Sequence, residues 1–220
     1  MTLPLTAVQQ AKRGEFQAFV ARYVTPCAEQ WDRDQRIPDS VIAKLAQCGY
    51  LGYTLPEDYG GQGGDVVTFG LLNEAFGRGS SALTGVLTVQ TMVAMALLKW
   101  GTAEQKRTWL PPLAKGEMIA AFALTEPGAG SALQSLVTEF TQNSGGLILN
   151  GTKRWISCAQ FAAVFLVFGA AGAVAQQVPR LQIGAHPGDQ GPDHPQVAHG
   201  LVADLPQGRV RDALFEASPQ

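Results

Sequence analysis

The sequence predicts an α+β, multi-domain fold: an all-helical domain, then an incomplete antiparallel β-barrel or sandwich domain, then a low-complexity tail. Apolar residues recur at spacings of three and four over about the first 110 residues, which is typical of helices. From Met118 onward extended apolar runs alternate with turns, and after Phe168 the composition changes again. Because helices precede strands instead of alternating with them, separate domains are favoured over α/β units. We therefore predict domains at residues 1–115, 116–170 and 171–220.

The composition excludes several classes of protein. The chain has 220 residues, of which 46% are hydrophobic, and a net charge of −2, so it can bury a core and has no electrostatic reason to bind nucleic acid. Its three cysteines are not spaced as a disulfide framework or a zinc site requires. The longest apolar run, residues 161–175, is shorter than the ~18 residues of a membrane span, and the N-terminus lacks the apolar core of a signal peptide. We expect a soluble, cytoplasmic protein without a metal, a nucleic-acid partner or a membrane partner.

Five helices are predicted in the first domain. They run from about Thr6 to Gln30; from a cap at Asp39 or Ser40, after Pro38, to near Gly49; from a cap at Asp65 through Phe76; from beyond Ser81 to Trp100; and from a cap at Thr102 through Ala103–Trp109, stopped by Pro111 and Pro112. Since the fourth helix is apolar nearly all round, we expect it at the centre of its bundle. The glycine-rich segment 55–64 is predicted to be a loop.

Strands are predicted in the second domain. Short apolar runs between turn residues indicate strands at Met118–Thr125, Val137–Thr141, Leu147–Leu149, Arg154–Ile156 and Phe161–Phe168. Asn150 and Gly151 form the predicted turn before the fourth of these strands. Because side chains two residues apart point to one face of a strand, Trp155 and Ser157 are expected on the same side.

Two segments of this domain carry the residues with the clearest chemistry. Phe122-Ala-Leu-Thr-Glu-Pro-Gly-Ala-Gly-Ser131 brings a hydroxyl to a strand end and continues into a loop of small residues, whose backbone N–H groups can approach an anion. Leu149-Asn-Gly-Thr-Lys-Arg-Trp-Ile-Ser157 adds an indole and a second hydroxyl. Together they would suit a planar ring joined to a diphosphate, as in a flavin dinucleotide. From the residues alone, a plain turn and a packed core tryptophan are the alternatives.

Both segments, in this order, resemble the flavin-binding signature of the acyl-CoA dehydrogenase family. So does the upstream Leu55-Pro-Glu-Asp-Tyr-Gly-Gly61, and the resemblance runs from the N-terminus to roughly Phe168. It implies a flavin-dependent enzyme that introduces an α,β double bond into an acyl-CoA or acyl-carrier-protein thioester. Residues Trp155–Gln160 resemble one branch in particular, the dehydrogenases of polyketide extender-unit pathways.

The resemblance implies that seven residues bind FAD. Thr125 and Ser157 would hydrogen-bond the isoalloxazine, Trp155 would lie against it, Phe122 and Leu124 would pack at the flavin, and Gly130 and Ser131 would hold the diphosphate. Ser157 replaces the family's usual Thr but keeps the hydroxyl. Ala132 stands where the family commonly has Asp, so a carboxylate that would fix this loop is missing.

No catalytic residue is implied in this chain. The family's general base is a glutamate on a C-terminal helical domain that has no counterpart here, and Glu126 belongs to the flavin loop. We therefore expect a truncated or split polypeptide that is inactive alone, with a separately encoded C-terminal half as a partner and homo-oligomerisation when complete. Two alternatives stay open: a non-enzymatic remnant of the fold, and a flavin-dependent hydroxylase on the same fold.

The tail has a composition of its own. Residues 169–214 contain no aromatic residue, and no lysine follows Lys153. Irregular, low-complexity sequence, either native or produced by a frameshift, is the favoured interpretation. The alternative is a metal site formed by the three histidines, which all lie in this segment at positions 186, 194 and 199, together with Asp189 and Asp193.

Overall fold

The computed structural model describes residues 4–143, 146–171, 196–204 and 209–217, with side-chain environments for 4–139 and 149–169. The chain divides into two compact units: Met1–Ala94 with Arg107–Glu117, and Met95–Lys106 with Met118–Gln220. Helices come first and a partial sheet follows, which confirms the predicted fold class.

Six α-helices lie in the described ranges. They are α1 (Ala7–Tyr23), α2 (Ala28–Arg33), α3 (Asp39–Gln47), α4 (Val66–Gly79), α5 (Ser81–Trp100) and α6 (Ala103–Ala114), with a short 3-10 turn at Glu57–Tyr59. The prediction of one helix over residues 6–30 is therefore wrong, because this range contains α1 and the start of α2. Pro26 explains the break, because it has no N–H to donate and disfavours a helical backbone at Thr25.

The helix starts follow the capping residues in three cases. Thr6 and Gln9 form a reciprocal capping box at α1, with Gln9 N donating to Thr6 Oγ1 at 3.2 Å. Asp65 accepts the Thr68 N–H at 3.0 Å and caps α4 as predicted. Thr102 accepts the Gln105 N–H at 3.2 Å at the start of α6.

Two predicted helix ends are corrected. At α3 the N-cap position is Pro38, and Asp39 is already the first helical residue. The last helix, α6, continues through Pro111 and Pro112 to Ala114 instead of stopping before them. The two prolines remove donors near the helix end only, and the turn that contains them buries Leu110 and Leu113 completely.

The first unit is organised around an aromatic core. Phe16 of α1 lies edge-on to Tyr50, with ring centroids 5.4 Å apart, and Phe19 packs against Phe76 of α4 at 5.7 Å. Such edge-to-face and tilted pairs add to the free energy of apolar burial. The apolar residues that recur at helical spacing in the sequence therefore form a buried face, which lies where α1 and α4 contact each other.

Helix α5 is less central than its composition predicts. Leu83, Leu87 and Leu97 are fully buried, whereas Met92 and Met95 are each about two-fifths exposed. Its length and apolar composition also meet the criteria for a membrane-crossing helix, and it is the one described helix that does. The buried helix of a globular unit meets the same criteria, and 44% of the qualifying window is buried.

The predicted glycine-rich loop is tightly packed. Gly63 N donates to Leu55 O at 2.8 Å, and Gly64 N donates to Tyr53 O at 2.8 Å, so the chain folds back on itself. A Cβ at Gly61 would collide with the Leu55 carbonyl oxygen, so a side chain at position 61 has no space. This segment is thus an ordered part of the first unit.

Six strands form one sheet in the described part of the second unit. They are β1 (Ala120–Ala123), β2 (Glu139–Asn143), β3 (Gly146–Asn150), β4 (Val164–Ala171), β5 (Gln196–Asp204) and β6 (Arg209–Ala217). Their order is β3-β2-β4-β5-β6, and β1 also pairs with β4. The sheet is mixed, which differs from the antiparallel sheet predicted: β2 with β3 and β5 with β6 are antiparallel, whereas β4 runs parallel to β1, β2 and β5.

Two ranges of the predicted irregular tail are strands. β5 pairs with β4 from Val164↔His199 to Gly169↔Asp204, and β6 returns antiparallel along β5. The prediction of irregular structure is therefore wrong for residues 196–204 and 209–217. The reason is that the open edge of β4 supplies backbone donors and acceptors whatever the side-chain pattern of the incoming chain. The other predicted tail residues beyond 171 lie outside the described residues.

Alternating side chains of β1 and β4 divide the sheet into two faces. Ala121 and Ala123 pack with Phe165 and Val167 in a buried cluster. Phe122 points to the other face, where its ring centroid lies 4.7 Å from that of Phe168. The strand β1 is therefore held on both sides before it delivers residues 124–131.

Candidate functional site

The loop after β1 is shaped by a tight turn. Glu126 N donates to Ala129 O at 2.8 Å, and Ala129 N donates back to Glu126 O at 3.2 Å. This turn buries Ala129 and leaves Gly130 and Ser131 exposed. A Cβ at Gly130 would meet no atom within 4 Å, so its backbone faces open space in which a ligand could approach.

A buried carboxylate lies at the base of this loop. Glu126 is 4% exposed. Its Oε2 accepts the Val137 N–H at 2.7 Å, and its Oε1 accepts the Thr138 N–H at 3.0 Å. The carboxylate therefore joins the start of the loop to the residues that lead into β2.

Lys153 completes an ion pair with this carboxylate. Its Nζ donates to Glu126 Oε1 at 2.8 Å and to the carbonyl oxygen of Leu124 at 2.9 Å. The Lys153 side chain is 12% exposed, so the pair is shielded from water. A buried ion pair is favourable only when its remaining hydrogen bonds are satisfied, as they are here. The same hydrogen bonds fix residues 124, 126, 137 and 153 relative to one another.

The protonation states follow from these contacts. Burial alone would raise the pKa of Glu126, but hydrogen bonds from Lys153 and from the Val137 and Thr138 backbone outweigh it and lower the pKa to about 2. Burial lowers the pKa of Lys153 from its usual value, while the bond to Glu126 opposes that shift. The carboxylate is thus ionised at neutral pH and occupied by structural donors, which excludes it as a general base.

The second segment reaches the first through a backbone hydrogen bond. Arg154 N donates to Thr125 O at 2.8 Å, so the residues that carry Trp155 and Ser157 follow directly from a contact with the predicted flavin residue Thr125. Together with the Lys153 bond to Leu124, this contact brings together the two segments in which the sequence analysis places the site. Leu124 and Thr125 are half-buried, and Ser131 and Ser157 are exposed.

The predicted strand at Arg154–Ile156 is wrong. Trp155 has a left-handed backbone (φ 59°), and residues 157–160 form a turn. The Trp155 ring is 78% exposed, with the Arg154 guanidinium carbon 4.5 Å from its centroid. No strand in the described part of the chain runs alongside this segment, so no ladder there holds it extended. The core-tryptophan alternative is excluded by the exposure of the ring.

The polar groups at this surface are free to bind a ligand. Over the ranges with described side chains, the hydroxyls of Thr125, Ser131 and Ser157 have no hydrogen-bond partner in the protein. An exposed indole, three free hydroxyls and an open glycine backbone fit the ring and diphosphate of a flavin dinucleotide. The chemistry of these groups is therefore compatible with FAD.

The ion pair and one packing contact are not predictable from the local sequence. Lys153 lies inside the quoted motif beside a second basic residue, Arg154, so the local sequence does not distinguish it as the partner of Glu126. Gly151 was predicted to make a turn after β3. The structure shows a different role, because a Cβ at Gly151 would collide with the buried Thr138. That contact joins residues distant in the chain and has no signature in the local sequence.

The metal alternative gains no support from the described part of the chain. Across those residues, no group of three His, Cys, Asp or Glu side chains is placed to hold an ion. His186 and His194 lie outside the described residues, and for His199 the structure describes the backbone position in β5.

Comparison with known families gives two matches in chain order. The profile of the acyl-CoA dehydrogenase N-terminal domain matches residues 6–117. The profile of the acyl-CoA dehydrogenase middle domain matches residues 121–183. The second match ends beyond the boundary at residue 170 that the sequence analysis predicts.

Individual proteins give the same result. The chain is 36% identical over 174 residues to a probable acyl-CoA dehydrogenase, YngJ, of Bacillus subtilis, covering 78% of this chain and 46% of that protein. It is similar to the crystal structure of a glutaryl-CoA dehydrogenase from Mycobacterium smegmatis in complex with FADH2, with a TM-score of 0.73 and 30% identity over 76% of this chain and 43% of that one. An acyl-CoA dehydrogenase structure from Geobacillus kaustophilus matches 99% of this chain and 57% of its own, at 28% identity and a TM-score of 0.76.

The chain spans about half the length of these relatives. The match to the N-terminal domain covers half of the chain by itself, and the middle-domain match continues through the site described above. The chain belongs to the acyl-CoA dehydrogenase family.

Proposed function

We propose that this chain is the flavin-binding part of an enzyme that dehydrogenates an acyl-CoA thioester between its α- and β-carbons. The observation that carries the proposal is the junction of the two signature segments, where Arg154 N bonds Thr125 O and Lys153 Nζ bonds Leu124 O. A related structure, the glutaryl-CoA dehydrogenase of Mycobacterium smegmatis, holds FADH2, which supports FAD as the cofactor of this chain.

FAD would supply the chemistry of the reaction by accepting a hydride from the β-carbon. The residues of this chain would bind and orient it. The Thr125 and Ser157 hydroxyls would donate to the polar edge of the ring and stabilise the negative charge that reduction places there. Trp155, with Phe122 and Leu124 beneath the strand end, would cover the ring. Gly130 and Ser131 would hold the diphosphate.

The proton from the α-carbon would go to a general base, a role for which Glu126 of the flavin loop is unsuited. Glu126 is buried, ionised and bound by three donors. We therefore propose that the base comes from a further polypeptide segment, encoded in the same protein or separately, and that the complete enzyme is a homo-oligomer. A general base contributes about 10²–10⁴-fold to rate, so this chain alone should show negligible turnover.

The acyl carrier is a finer proposal. The Trp155–Gln160 segment resembles dehydrogenases that act on acyl-carrier-protein thioesters in polyketide pathways. Parallel assays with short acyl-CoA and acyl-carrier-protein substrates on the complete enzyme would separate the two carriers, since the preferred one should have the higher kcat/KM.

Titration of the purified chain with FAD, followed by flavin fluorescence, tests the proposal. Binding is expected, with Gly130→Ala weakening it and Gly128→Ala serving as the matched control, because a Cβ at either position meets no protein atom. A chain that does not bind FAD at all would be a non-enzymatic remnant of the fold. Turnover of acyl-CoA by this chain at about 10 s⁻¹, a typical enzyme rate, would place the base within it and contradict the proposal.

A further inference from the structure

The loop that carries Gly130 and Ser131 begins and ends at one carboxylate. It leaves from Glu126 and returns at Val137 and Thr138, whose N–H groups both bond the Glu126 side chain at 2.7 and 3.0 Å. A ten-residue segment, 127–136, is thereby closed at its base by a single buried group. Its closure depends on a buried side chain whose oxygens accept hydrogen bonds from protein donors.

This loop has few other restraints. Across the described residues, the hydrogen bonds of residues 127–136 run only within the loop or to Glu126: Ala129 bonds Glu126, Ser135 N bonds Ala132 O, and Leu136 N bonds Leu133 O. Except for Ala129 and Leu136, its residues are exposed. The position of its backbone therefore depends on the carboxylate at its base and on the buried Ala129.

Lys153 supplies the counter-charge that lets the Glu126 carboxylate remain ionised while it is buried at the base of the loop. A buried carboxylate without a cation would be desolvated and unpaired, which is unfavourable. The Lys153 ammonium satisfies it at 2.8 Å and also holds the Leu124 carbonyl oxygen at 2.9 Å, one residue before Thr125. One ion pair thus sets the base of the diphosphate loop and the place where the second segment meets the first.

On the basis of the proposed function, we propose that Glu126 and Lys153 are a positioning pair for the FAD diphosphate. The pair sets the course of loop 127–136 and so places the Gly130 N–H and the Ser131 hydroxyl where they bind the diphosphate. It touches neither the cofactor nor the substrate. Removal of the Glu126 carboxylate should therefore weaken the binding of FAD. It should not weaken the binding of riboflavin, which has the same ring but no diphosphate.

Three variants separate positioning from simple stabilisation: Glu126→Gln, Lys153→Met and the double variant Glu126→Gln/Lys153→Met. Each single variant leaves one buried charge without its counter-charge and should lower the melting temperature. The double variant is neutral and keeps similar side-chain volumes, so it should recover much of that loss. Lys115→Met and Glu117→Gln, both at exposed positions, are the matched charge controls.

Affinities for FAD and riboflavin, measured by flavin fluorescence, are the decisive readout. FAD binding should weaken by about 10–100-fold in all three variants, which is the loss expected when charge-assisted hydrogen bonds no longer hold the loop. In Glu126→Gln, which keeps the Lys153 bond to the Leu124 carbonyl oxygen, riboflavin binding should change by less than about 3-fold, within ~0.7 kcal/mol. A double variant that recovers both its melting temperature and its FAD affinity would show a merely structural role and overturn the proposal.

Amide hydrogen exchange on the flavin-free chain tests the closure of the loop independently of the proposal that the chain binds FAD. If the pair closes the loop, residues 127–138 should exchange faster in the double variant than in the wild type, while β1 and β4 stay unchanged. This result without any FAD binding by the wild type would contradict the proposed function and leave the loop closure established. Unchanged exchange in residues 127–138 would overturn the positioning role even if FAD binds.

Discussion

The backbone N–H of Arg154 donates to the carbonyl oxygen of Thr125 at 2.8 Å and joins two motifs that are far apart in the sequence. Beside it, the guanidinium group of Arg154 lies over the ring of Trp155. The residue that carries the exposed indole therefore directly follows the backbone contact with Thr125.

Replacing Trp155 by alanine should weaken binding of the flavin ring without weakening the fold. The side chain is 78% exposed, so little buried area is lost. A desolvated aromatic stack contributes about 1–3 kcal/mol, so riboflavin and FAD should both bind about 5–150-fold more weakly. Fluorescence titration measures both. Trp100→Ala is the matched control, because Trp100 is also exposed and has a cation, Lys99, over its ring; an equal loss there would contradict the assignment of Trp155.

Replacing Ser131 by alanine should affect FAD alone. A hydrogen bond to a charged group contributes about 1.5–3 kcal/mol, and riboflavin has no diphosphate to receive it. FAD should therefore bind roughly 10–150-fold more weakly, with riboflavin unchanged. Ser135→Ala removes an exposed hydroxyl from the same loop and should leave both ligands unaffected. If Ser131→Ala weakened riboflavin as much as FAD, Ser131 would act through the fold and not through the diphosphate.

Replacing Gly151 by alanine should destabilise the second unit. The added Cβ would meet Thr138 at its backbone Cα, 2.7 Å away, so a change of side-chain rotamer cannot relieve the contact. Overpacking of this kind costs about 1–3 kcal/mol, which thermal or denaturant unfolding can measure. Gly128→Ala, where the Cβ meets no atom within 4 Å, should stay within about 0.5 kcal/mol of the wild type. Equal stability of the two variants would show that the approach of Gly151 to Thr138 is not tight in solution.

Acid should weaken the fold through Glu126. Its pKa is lowered from 4.5 to about 2, so the folded state favours the ionised form. The stabilisation is fully present above about pH 4.5 and is lost as the pH falls toward about 2, with a total of ~3 kcal/mol for this shift. Urea unfolding from pH 7 to pH 2 should show this loss in the wild type and a flatter profile in Glu126→Gln. Profiles of equal slope would mean that other groups determine the acid response.

Much of the architecture is readable in the sequence because local chemistry produces it. Asp65 and Thr102 cap helices as predicted, and Phe76, on the predicted third helix, is fully buried. Where the local sequence predicted the wrong structure, contacts with residues elsewhere in the fold determined the observed one. The end of α6 continues through two prolines because its apolar side chains are buried, and the tail residues that form β5 pair with an available strand edge.

Resemblance to the family identifies the motif residues, but it does not predict how they are arranged in space. The sequence predicts Trp155 on a strand, and the structure gives it a left-handed backbone and an exposed ring. Periodicity describes a strand only where a partner supplies the hydrogen-bond ladder, and no described partner does so here.

The sequence by itself determined the order of helices and strands, the capped helix starts and the family to which the two motifs belong. Only the tertiary structure decided that Glu126 and Lys153 meet as a buried pair, 2.8 Å apart, and that Glu126 closes the loop carrying Gly130 and Ser131. The physical reason is that caps and apolar periodicity act between near neighbours in the chain. The ionisation and the partners of a buried charge instead depend on groups that folding brings to it from distant positions.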